Sequence, residues 1–121
     1  MSLDDLLLSV VRGEQDPSLL AEIGVNLEGE PGSYRVACPA GLPVVVVAMV
    51  DLAEGFLHHW ALGTSLPEWS AYVLSADCFD FPEDRSETDD LLIEAMHDAA
   101  FGDPVSGEAV DVARHLYDQR S

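Results

Sequence analysis

Twenty-three carboxylates stand against five arginines and no lysine in 121 residues, a formal charge of −18. Whatever such a chain folds into, most of its acids must end in water without a cation to pair with, because ionised carboxylates are rarely buried alone. An apolar fraction of 48% supplies a real core at this length. The expectation is therefore one folded acidic domain over residues 1–121. A GC-rich genome would account for the missing lysine and for the single asparagine, Asn26, but it would also favour arginine, which is scarce. Codon bias leaves the acidity unexplained. Two explanations remain: a salt-adapted host, in which acidic surfaces are general, or a surface shaped for a basic partner. Direct nucleic-acid binding is disfavoured, since affinity there comes from Lys and Arg neutralising phosphates.

The apolar run Leu42 to Val50 falls far short of the roughly 20 residues that span a bilayer, so no membrane partner is expected. Asp4 and Asp5 occupy the place where a secretory signal carries basic residues, which points to the cytoplasm. Cys38 and Cys78 lie in apolar, strand-like patterns. Buried thiols are the expectation there, with no redox chemistry suggested.

Periodicity divides the chain into three parts. Ser2 as a cap, with Leu3, Leu6, Leu7, Val10 and Val11 on one face, predicts an amphipathic helix ending near Gly13. Asp16-Pro17 reads as the cap and first residue of a short helix closed by Gly24. From Val25 the period falls to two. Tyr34, Val36 and Cys38 alternate with Arg35 and Ala37 as in a half-buried strand after a Glu30-Pro31-Gly32 turn. Val44–Val50, apolar at every position, is expected centrally in a sheet, and Ala71–Phe81 as another long strand. Residues 51–62 fit either a helix carrying Leu52, Phe56 and Trp60 or a strand; the helix is favoured although Gly55 sits badly in it. Two further helices follow. Ser86 and Asp89 make a capping-box start to one with Leu92, Ala95, Met96 and Ala99 on a face. Ser106 opens the other, with Ala109, Val112, Ala113, Leu116 and Tyr117 in helical register and Arg114, His115 and Arg120 toward its end. The class is α+β: N-terminal helices, a small mostly antiparallel sheet, and a C-terminal helical hairpin packed on one sheet face.

The densest acid cluster is CFDFPEDRSETDD, residues 78–90. Glu87, Asp89 and Asp90 fall in the first turn of a predicted helix, where free amides and the dipole favour carboxylates. Asp77, Asp80, Glu83 and Asp84 gain nothing from that helix and are the candidates for a partner-binding surface, with Trp69 as an apolar anchor. Trp60 and Trp69 flank the Gly63–Pro67 segment. An EF-hand loop is excluded because residues 77–90 contain no glycine. Adjacent His58 and His59 point apart and are poorly placed to chelate together. Glu94, His97, Asp111 and His115 supply one Glu-x-x-His step and a neighbouring pair, half of a di-iron pattern whose second step is absent. No nucleophile elbow, phosphate loop, Cys-x-x-Cys or His-Glu-x-x-His is present, and without lysine there is no Schiff base. No cofactor is implied. The expected function is a small binding protein, not an enzyme, that neutralises a basic protein partner: an immunity protein for a nucleic-acid-targeting toxin, or a DNA mimic. The alternatives are an ordinary protein of a salt-adapted host, a secretion chaperone, or an enzyme or metal protein built on the helical hairpin.

Overall fold

The computed structural model describes residues 2–62 and 65–118. In chain order it comprises α1 (Leu3–Val11), a 3-10 helix (Pro17–Ile23), β1 (Asn26–Glu28), β2 (Arg35–Ala37), β3 (Val45–Val46), α2 (Met49–Leu62), α3 (Leu66–Ser75), β4 (Phe79–Asp80), α4 (Glu87–Ala100) and α5 (Gly107–Asp118). The α+β class read from the sequence holds.

Local chemistry explains most helix starts. Ser2 Oγ accepts the Asp5 amide, Asp16 Oδ1 the Ser18 amide and Ser106 Oγ the Ala109 amide, so each takes up an amide that the first turn leaves without a partner. Ser86 and Asp89 form a reciprocal capping box. At the other end of the 3-10 helix, Gly24 adopts φ 88°, a left-handed conformation that glycine takes without strain. Arg120 and the Gly63-Thr64 pair lie outside the described residues.

The centre of the molecule is a helix where a strand was expected. Ala71–Ser75 belong to α3, and the Ala71–Phe81 stretch supplies only the two strand residues of β4. Leu66, Trp69, Ser70, Ala71, Tyr72 and Val73 are all buried, because α3 packs against α4, α2, both strands of the first ribbon, β4 and the 3-10 helix. Only Glu68 and Ser75 of α3 are exposed, so its polar face is narrow, and the apolar Ala71–Leu74 run reads equally well as a buried strand. The strands form two separate ribbons. β1 and β2 pair antiparallel, with Leu27 opposite Val36, while β3 and β4 pair parallel, with Val45 beside Phe79 and Val46 beside Asp80. The C-terminal hairpin is present, and its two helices seat on other helices, α4 on α3 and α5 on α2.

Residues 51–62 are helical, and Gly55 is the reason α2 can sit where it does. A Cβ at Gly55 would collide with the Val11 carbonyl oxygen and lie 2.6 Å from Trp69 Cζ2. α1 and α2 therefore cross in near backbone contact. Trp69 closes the same junction, its indole Nε1 donating to the Val10 carbonyl at 3.0 Å.

Candidate functional site

Among the described residues no Asp or Glu side chain is buried; Asp51, Glu54 and Asp89 are half-buried and the others exposed. The acidic surface therefore extends over every helix, and density alone does not single out a site. Within the 77–90 segment, the three acids of the first turn do what helix chemistry requires. Asp89 completes the capping box, and Asp90 accepts Arg85 Nε at 2.9 Å while Arg85 Nη1 donates to the Pro82 carbonyl. Arg85 thus folds back on its own loop and the start of α4.

Asp77, Asp80, Glu83 and Asp84 are all exposed, and among the described residues none is in an ion pair. Their setting depends on β3 and β4. The Val45 amide donates to the Cys78 carbonyl at 2.9 Å and the Val47 amide to the Asp80 carbonyl at 2.7 Å. This pairing puts Val45, Val47 and Phe79 inward, into the core. Val44 and Val46 point outward and are 62% and 61% exposed. Of the Val44–Val50 run expected in the middle of a sheet, only Val45–Val46 are strand, one half of a two-stranded ribbon covered on one face, and Met49 and Val50 begin α2. Side chains alternate along a strand and neighbours in register share a face, so Val46 stands beside Asp80. Val44 and Asp77 line one cavity of about 200 Å³ with the 38–42 loop. The result is a pair of exposed valines beside unpaired carboxylates. In the run Leu42 to Val50, apolar nearly throughout, no signal marks which valines face out.

Trp69 is not part of this surface. It is fully buried in the α1–α2–α3 junction, so the anchor role expected for it is corrected: its large ring and single N–H were better satisfied by the core and the Val10 carbonyl. Val44 and Val46 are the apolar residues that sit beside the acids.

A second constellation is invisible in the sequence. His59 is 3% exposed. Its ring stacks on Trp69 with centroids 5.3 Å apart and meets His58 edge-on. Nδ1 lies 2.5 Å from Ser65 Oγ, and Nε2 is buried without a partner among the described residues. Burial first, and the neighbouring His58 second, push the imidazole down to about 4 against a weaker opposing pull from Asp16. His59 is therefore neutral at pH 7. With Asp16, His58 and Ser65 it borders a cavity of about 350 Å³. A serine hydroxyl on a neutral imidazole resembles the start of a nucleophile-base pair, but no carboxylate orients the ring from Nε2, which that arrangement needs. The ring's contacts make it a packing and hydrogen-bonding element of the α2–α3 junction.

On the hairpin, Glu94, His97, Asp111 and His115 are all exposed. Among the described residues no group of three or more His, Cys, Asp or Glu side chains is placed to hold a metal, and no helix is long and apolar enough to cross a membrane. Compared with protein-family models, with curated proteins and with solved structures, the chain matches none.

Proposed function

We propose that this protein binds a basic protein in the cytoplasm and occupies the partner's cationic surface, acting by association and not by catalysis. The observation that carries this reading is the juxtaposition on the β3–β4 ribbon: exposed Val44 and Val46 next to Asp77 and Asp80, with Glu83 and Asp84 in the loop that follows. Among the described residues these four carboxylates are in no ion pair, although Asp80 accepts the Phe81 amide, so they are free to pair with cations across an interface, and an apolar centre with a charged rim is how protein interfaces are built. The net charge of −18 attracts a cationic partner over a Debye length and speeds encounter. Proteins that bind or cut nucleic acid present dense Lys and Arg to phosphate, so they are the partner class that such a surface fits, whether as toxin and immunity protein or as the target of a DNA mimic.

The test is recovery of the protein from its own cells at low salt, beside a variant carrying Asp77→Asn, Asp80→Asn, Glu83→Gln and Asp84→Asn, and a second variant, Val46→Ser. The expected outcome is one basic protein, stoichiometric with the native chain. After purification it binds the acid variant at least about tenfold more weakly and loses affinity as salt is raised. Equal recovery of that protein by the native chain and both variants would place the interface elsewhere. Recovery of no basic protein by the native chain would overturn the reading.

A further inference from the structure

Forty positions apart in the sequence, Cys38 and Cys78 come together in the fold. Both line the cavity beneath Val44 and Asp77, and the Cys38 side chain is close enough to perturb the Cys78 thiol. Both are free thiols. They differ in access: Cys38, just past the end of β2, is half-buried, whereas Cys78, whose carbonyl is held by the Val45 amide, is 2% exposed. The cavity between the 38–42 loop and the start of β4, about 200 Å³, admits a small reagent to the outer thiol.

We propose that Cys38 and Cys78 are a modification site that closes to an intramolecular disulfide when a low-molecular-weight disulfide, such as oxidised glutathione, reaches the cavity. Cys38 loses its proton to water and its thiolate attacks one sulfur of the small disulfide. That S–S bond breaks, the second small thiolate leaves with the electron pair, and a mixed disulfide remains on Cys38. Cys78 then gives its proton to water and attacks the Cys38 sulfur, and the remaining small thiolate departs. Two protein thiols are oxidised and one small disulfide is reduced to two thiols. Burial, and then the adjacent Cys38, push the Cys78 thiol up to about 11, with Asp77 a smaller contributor. Because the thiolate is the attacking form, closure quickens as the pH is raised toward that value. The bridge ties the 38–42 loop to β4, the two walls that carry Val44 and Asp77, and so stiffens the surface on which they stand.

The folded native chain is incubated with graded ratios of oxidised to reduced glutathione, quenched with an alkylating agent and weighed intact. The expected result is a monomer lighter by two hydrogen atoms that takes up no alkyl group, recovers both thiols on reduction, and melts at a higher temperature than the reduced chain. The Cys38→Ala variant, checked for folding by its own melt, keeps one thiol and forms neither the bridge nor an adduct. A glutathione adduct that persists on Cys38, a disulfide-linked dimer, or two thiols still alkylated at the most oxidising ratio would each overturn the proposal.

Discussion

Gly55 and His59 show how far a single position depends on what faces it. A methyl at Gly55 has nowhere to go, since its neighbours are the Val11 carbonyl and the Trp69 ring rather than the loose end of a flexible side chain. Gly55→Ala, favourable by helix propensity alone, is therefore expected to lower stability by about 3 kcal/mol through overpacking, read as a fall in the urea midpoint. A rise would mean that α1 and α2 do not cross this closely. His59 sets a pH dependence. Its imidazole takes up a proton near 6.5 when unfolded but only near 4 when folded, so the unfolded chain binds the extra proton between these values. Stability from this group is complete above pH 6.5 and is lost progressively as the pH falls toward 4, by about 3 kcal/mol at the limit. The difference in unfolding free energy between the native chain and His59→Gln should shrink over that window. A difference that stays constant would show that His59 titrates normally.

Among the elements, those that ended where the sequence placed them are those whose ends are made locally. The α4 start needs only Ser86 and Asp89, three residues apart, and both hydrogen bonds of the box form. Ser86→Ala should cost about 1 kcal/mol with no change in the baseline helix signal of the folded state, measured by circular dichroism during urea unfolding. α3 was misread for the opposite reason. Pro67 and Glu68 are a local helix-start signal, but the Ala71–Leu74 run alone does not distinguish helix from strand, and most of α3 is buried through contacts with α4, α2 and both ribbons that lie far off in the chain. The Val44–Val50 run was misplaced likewise: uniform apolar composition suggested two covered faces, whereas the partner strand β4 is two residues long and the outer face is left open.

For the molecule as a whole, charge is the dominant quantity. Carboxylates distributed over all five α-helices and both ends of the 77–90 loop repel one another in the folded state more than in the expanded unfolded chain. Raising sodium chloride from low to physiological concentration, a Debye length of about 8 Å at the upper end, should therefore raise the melting temperature, while the chain keeps its helical spectrum at the lowest salt. Loss of that spectrum on dilution into salt-free buffer would instead mark the acidity as adaptation to a saline interior and remove the main argument for a basic partner. The same screening should weaken the proposed association, so folding and binding respond to salt in opposite directions.

Composition and short-range pattern by themselves determined the outward placement of the acids, the caps and bounds of most helices, the half-buried Tyr34–Cys38 alternation, and the presence of a C-terminal hairpin. The acids and caps depend on hydration of a charge or on hydrogen bonds within about four residues, and the alternation and the hairpin on a hydrophobic period legible within one element. Only the tertiary structure decided that α3 is a helix, that Trp69 faces Val10 and not a partner, that Val44 and Val46 are the valines left in water, and that Cys38 meets Cys78. Those outcomes turn on which distant surface covers a given side chain, and an apolar residue has the same reason to seek any of them.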